Sequence, residues 1–248
     1  MFTLRPFPSY PVSTPPLQSQ TMPANLPSPV AHFFARIAGE QIPIIHSAVI
    51  SGTGKLRFKG VTFQARWRFT HCAGESYRHY IEAALGGVSV LKVNECYLDG
   101  EAHFELPFAV VEHSAKLNMS ANLALWAESI WLPSIWLTDP RVHWEGLDEH
   151  QARLIIPFGE DEDGFTATFD PQTRLLAHLE TMRYRDVSDE EKLGWRNDIQ
   201  SWKCFHGIEI PATATVTWAD QAKPWLVLSV EEIVYNIDVS QYLRMKGI

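Results

Sequence analysis

No apolar run in this chain approaches the roughly 20 residues that cross a bilayer as a helix, and the N-terminus lacks the basic start and hydrophobic stretch of a secretory signal. A membrane-spanning helix is therefore not expected, and the cytoplasm is the expected location. Cysteine is scarce: Cys72, Cys96 and Cys204 are odd in number and show no CxxC spacing. Neither a disulfide framework nor a zinc knuckle follows, and a reducing compartment fits best. Positive charge is also in deficit, because a formal net charge of -8 gives an average surface that repels nucleic acid and anionic membranes. The common catalytic motifs are missing too, with no GxSxG elbow, no P-loop and no GxGxxG after a strand. None of the ten histidines forms HxH or HExxH, so neither a metal nor a cofactor is expected.

What is present is enough apolar material for a large core, 46% hydrophobic and 12% aromatic over 248 residues. Residues 1–27 hold seven of the sixteen prolines and are expected to be a disordered or draped tail. Residues 28–239 form a single β-rich domain and residues 240–248 a C-terminal tail in this reading. Ser28 and Pro29 open a short helix that Gly39 ends, with Val30, Phe33, Phe34 and Ile37 as its buried stripe. From Ile44 onward the apolar period changes to two. Strands are expected over 44–58, 61–70, 76–84, 87–98 and 101–110, and again over 141–144, 151–158, 164–169, 174–185, 199–206, 209–219 and 225–238. Closely spaced glycines between and within them point to bulges and strong coiling. The fold class is mainly β (α+β): a large coiled antiparallel sheet or half-barrel, its concave face covered by one or two helices.

The second helix, 120–133, carries the sharpest chemical signal. Ser120 reads as its N-cap and Pro133 as its end, and Glu128 is its one ionisable side chain. At helical spacing Glu128 neighbours Ala124, Leu125, Trp131 and Leu132, so it is expected to be shielded and to need a partner or a raised pKa. Arg183 and Arg185 share one face of a later strand and are candidates for that partner. Tyr97 and Asp99, at a strand end, are candidate catalytic helpers, although Asp99-Gly100 also reads as an ordinary turn. Trp126, Trp131, Trp144 and Trp195 are candidate ligand walls, with core packing as the plainer account. Two charged runs read as solvated surface: the basic group Lys55, Arg57, Lys59, Arg66 and Arg68, and the acidic tip 159–164, which lacks calcium-loop spacing.

Three readings follow. In the first, the cavity under the helix binds an apolar or amphipathic small molecule, with no nucleic-acid partner and no stable membrane insertion. In the second, Glu128 acts there as general acid or base in a cofactor-independent isomerase, cyclase or hydratase. In the third, the domain is a structural or partner-binding module.

Several segments, in order, resemble an uncharacterised bacterial family of soluble or membrane-tethered proteins. They are Leu26-Pro-Ser-Pro-Val30, Tyr97-Leu-Asp-Gly100, Ala127-Glu-Ser-Ile-Trp-Leu-Pro133, Val142-His-Trp-Glu145, Phe169-Asp170, Arg183 to Arg185, Trp195 and Gly207-Ile-Glu-Ile-Pro211. The resemblance spans about residues 25–238, and its most specific element is the Glu-x-x-Trp-x-Pro helix. It implies an N-terminal membrane anchor in many members and no assigned activity. More distantly, the expected architecture resembles the half-barrel of lipoprotein-localisation factors, which hold acyl chains; this is an analogy of fold.

Overall fold

A computed structural model of the chain describes residues 4–159 and 161–248. Strand β1 (Ser19–Thr21) is followed by helix α1 (Ser28–Ala38), then by β2 (Gln41–Pro43), which pairs with β1. A meander comes next: β3 (Ser47–Phe58), β4 (Val61–Cys72), β5 (Ser76–Leu85), β6 (Val88–Leu98), β7 (Glu101–Leu106) and β8 (Ala109–Glu112). Helix α2 (Ala115–Glu128), a 3-10 turn (Ser129–Trp131) and the short α3 (Ile135–Thr138) interrupt it. The second meander runs β9 (His143–Gly146), β10 (Gln151–Phe158), β11 (Asp161–Phe169), β12 (Leu176–Arg183), β13 (Leu193–Phe205), β14 (Ile208–Trp218) and β15 (Leu226–Tyr235), before α4 (Ser240–Arg244). The acidic tip includes Glu160, which lies outside the described residues.

All thirteen strands from β3 to β15 join one antiparallel sheet, ordered β8-β7-β6-β5-β4-β3-β15-β14-β13-β12-β11-β10-β9. Two meanders are thus fused along a β3–β15 seam, and α2 crosses between their outer edges. At the seam, a Cβ on Gly52 would lie 1.9 Å from the Ser229 carbonyl oxygen, and one on Gly54 would lie 1.9 Å from that of Val227. Beside this close approach, β15 is irregular between Val230 and Glu232, which adds local twist. Gly52→Ala is expected to cost about 1–3 kcal/mol, since the clash is with backbone and no rotamer change relieves it. Urea unfolding measures this, and an unchanged midpoint would mean that the seam can separate freely.

Helix α2 is buried nearly all round rather than amphipathic. Ser120, Asn122 and Ser129 are each no more than 5% exposed, and each hands its polar group to a backbone carbonyl: Tyr184, Pro157 and Leu125 respectively. A helix enclosed on every side must satisfy its polar side chains inside the protein. The helix begins at Ala115, five residues before the expected start, so Ser120 is interior and not the cap. Helix α1 lies over another part of the same concavity, with Phe33 against Phe169 and Trp202.

Residues 4–27 are draped over the sheet, one of the two expected alternatives: Phe7 and Tyr10 are buried, and Phe7 lies under the Arg66 guanidinium at 4.4 Å. The basic face of β4 is therefore covered by this segment, and Arg66 also pairs with Glu82 at 2.7 Å. Residues 240–248 are not merely a tail, because Leu243 of α4 packs with Tyr10, Val49, Val234 and Val239 in a second apolar cluster.

Candidate functional site

The concave face follows from period two. In β4 the inward residues are Trp67, Phe69 and His71; in β5 they are Tyr77, His79 and Ile81. Phe69 stands opposite His79, and His71 opposite Tyr77, so the two histidines are diagonal neighbours on adjacent strands. Glu95 of β6 stands opposite His79. Helix α2 then lowers its last residue, Glu128, onto this face.

Glu128 Oε2 lies 2.7 Å from His79 Nε2 and 3.2 Å from His71 Nε2. The second contact is misaligned, and neither ring nitrogen of His71 has a hydrogen-bond partner among the described residues. His79 is clamped between the rings of Phe69 and Tyr77, at centroid distances of 3.9 and 4.0 Å. Its Nδ1 faces Glu95 at 3.5 Å.

The raised pKa expected for Glu128 is not found. Desolvation pushes this carboxyl up, but the charge of His79 and the contacts with both histidines outweigh it and lower the value to about 2. Desolvation likewise opposes charge on His79, and Glu128 and then Glu95 overcome it, raising the imidazole to about 9. His71 is lowered, chiefly by its burial, so it stands neutral beside the pair. Glu128 also occupies the C-terminal end of α2, where the helix dipole disfavours a negative charge. Histidine is what holds it there, not arginine.

Above this cluster opens a cavity of ≈ 370 Å³. Its body is apolar, with Ile81, Leu91, Val93, Leu179, Val216 and Leu228 among its walls. His79, Glu95, Glu128, Arg183 and Asn197 contribute the polar lining. Phe58 and Phe108, stacked at 6.1 Å and 37% and 74% exposed, stand with Lys59 on the cavity's rim. Arg183 makes no ion pair among the described residues; its guanidinium lies over Trp195 at 4.4 Å. Burial lowers its pKa from the usual arginine value, against the pull of Tyr77, Glu95 and Glu128. Arg183 Nε, Trp195 Nε1, Asn197 Nδ2 and Trp225 Nε1, all on cavity-lining residues, have no hydrogen-bond partner among the described residues.

The candidate residues therefore divide. Glu128, Trp131, Arg183 and Trp195 line the cavity. Trp126 and Trp144 do not: they pack through Trp136, which donates to the Trp126 carbonyl while Trp144 donates to the Trp136 carbonyl. Arg185 lies on the surface, 2.8 Å from Asp220. Tyr97 is buried beside Tyr77 and is not among the lining residues. Asp99 belongs to the β6–β7 turn, where it and Gly100 both have positive φ, and its side chain is 84% exposed. That is the geometry of a two-residue hairpin turn, which explains Asp-Gly without chemistry. His71, His79 and Glu95 were not picked out from sequence, although the inward positions of period-two strands would have marked them.

Comparison with known proteins gives fold and family. None of the curated proteins compared with the chain matches it. Among solved structures, a LolA superfamily protein from Nitrosomonas europaea aligns with a TM-score of 0.50 at 9% identity, covering 87% of this chain and 96% of the other. A putative outer membrane lipoprotein-sorting protein domain from Vibrio parahaemolyticus aligns at 0.45 and 9% identity, covering 86% and 92%. A DUF1329 family protein from Desulfovibrio piger aligns at 0.45 and 12% identity, covering 79% and 88%. At such identities the likeness is one of fold, a LolA-like half-barrel. Residues 16–228 match the model described as "Family of unknown function (DUF6544)", and with most of its length inside that match the chain belongs to this family.

Proposed function

We propose that the protein binds a small amphipathic molecule, its apolar chain along the aliphatic wall and an anionic, oxygen-bearing head at Arg183. The observation that carries this reading is that four residues lining the cavity of ≈ 370 Å³, Arg183, Trp195, Asn197 and Trp225, each carry a buried donor with no partner among the described residues, against a largely aliphatic wall. Buried donors without acceptors are costly, and a carboxylate or phosphate head supplies the acceptors they lack. The volume falls within the range of small-molecule sites. An acid–base role for Glu128 is less well supported, because a carboxyl held near 2 is a weak base and stays ionised, with no proton to donate.

Calorimetric titration of delipidated protein with dodecanoate, in the presence of chelator, tests the proposal. One-site binding with a dissociation constant of about 10 µM or tighter is expected. Ala214→Phe, which projects a ring into the cavity from β14, is expected to weaken it at least about tenfold by removing the space the chain occupies. No saturable binding, or equal binding by this variant, would sink the reading.

A further inference from the structure

His71 presents a problem that the amphipathic ligand does not solve. It is 1% exposed, and both of its nitrogens lack hydrogen-bond partners among the described residues, yet its Nε2 lies only 3.2 Å from the Glu128 carboxylate. A buried imidazole in that condition calls for an explanation, and a bound ion is one that also accounts for the neighbouring carboxylate. The donor atoms of His71, His79 and Glu128 all lie within 4.8 Å of one another. We propose that these three side chains hold a divalent transition-metal ion, Zn²⁺ from the chemistry of the donor set, through Nε2 of each histidine and a Glu128 oxygen. Its remaining coordination faces the cavity.

Ligand atoms about 2.0–2.2 Å from a tetrahedral zinc stand about 3.3 Å from one another. The two N–O separations here, 2.7 and 3.2 Å, need to open by about 0.6 and 0.1 Å, and the two histidine nitrogens, within 4.8 Å of each other, need to close towards the same spacing through small side-chain rotations. Two imidazoles and one carboxylate are an open-site zinc set, leaving a fourth position for water or a ligand oxygen. The surroundings fit as well. Glu95 stands behind His79 Nδ1, the placement by which a carboxylate fixes the tautomer and orientation of a metal-bound histidine. Phe69 and Tyr77 fix the ring plane. A cation at the C-terminal end of α2 is also favoured by the helix dipole. The other histidine–carboxylate cluster, His103 with Glu105 and Glu112, differs on each count: its side chains are 27–44% exposed and the histidine is bonded through both nitrogens.

This inference does not rest on what the apolar part of the cavity holds, so it is tested with metal alone. Chelator-stripped protein is titrated with Co²⁺ and Zn²⁺ in the absence of fatty acid. One equivalent of Co²⁺ is expected to give the visible d–d absorption of a four- or five-coordinate nitrogen–oxygen site, and Zn²⁺ is expected to displace it. Folded His71→Ala should bind at least about tenfold more weakly, Glu95→Gln about tenfold more weakly, and His103→Ala like the parent protein. Absence of stoichiometric Co²⁺ absorption in the parent protein overturns the proposal whether or not any variant folds. So does parental affinity in folded His71→Ala.

Discussion

Arg183→Met is expected to weaken dodecanoate binding about 100-fold while leaving dodecanol binding nearly unchanged, the size expected for loss of charge-assisted hydrogen bonds to a buried carboxylate. Methionine keeps most of the stem that lies on Trp195, so the apolar wall survives and the carboxylate loses its cation. The same change is expected to raise the stability of the ligand-free protein by about 1 kcal/mol. A partly desolvated guanidinium with no ion-pair partner among the described residues is a liability in the ligand-free cavity, and removing it outweighs the cation–π contact with Trp195. Opposite signs for affinity and stability are the signature of a side chain kept for binding. Parallel calorimetric and thermal-melt measurements decide the matter. Equal losses for dodecanoate and dodecanol would assign Arg183 to the packing of the wall instead of to a head group.

Trp131→Ala is expected to cost about 3–5 kcal/mol, a large share of the 5–15 kcal/mol that holds a typical domain folded. The indole is 2% exposed and lies against Trp67 at 5.8 Å and Phe69 at 6.3 Å, filling the angle between the sheet and the end of α2. Its N–H donates to the Pro211 carbonyl at 3.2 Å, and its own carbonyl accepts from the Tyr235 hydroxyl at 2.7 Å. The residue therefore ties the 3-10 turn to β14 and β15, on the far side of the seam from His71 and His79. Truncation opens a void that neighbouring aromatic rings cannot fill without leaving their own contacts. Chemical denaturation provides the test. A loss below about 1 kcal/mol would show that this turn is held by backbone alone.

The expected strands reproduce the sheet because inward and outward side chains alternate along them; β10 matches the expected 151–158. Boundaries moved for both local and long-range reasons. The expected strand 101–110 divides at Pro107 and Phe108 into β7 and β8. Helix α2 extends back to Ala115, and in the added turn Lys116 donates to the Asp189 carbonyl while Asn118 Oδ1 accepts from the Ala102 N–H, contacts that no helical periodicity records.

By itself the sequence left Asp99-Gly100 open between a turn and a catalytic role, but it determined the period-two sheet, the two apolar helices laid against it and the carboxylate at the end of the second helix, since each is set by spacing. Only the tertiary structure decided what surrounds that group. His71 and His79 lie eight residues apart along the chain and show no ligand motif, but a hairpin and the pleat place both beside Glu128. Arg183 and Arg185 occupy equivalent positions in the local pattern; β12 ends at Arg183, so one reaches the cavity and the other pairs with Asp220 in solvent. The register between distant strands and the descent of α2 onto the sheet are long-range facts, and no local window of residues contains them.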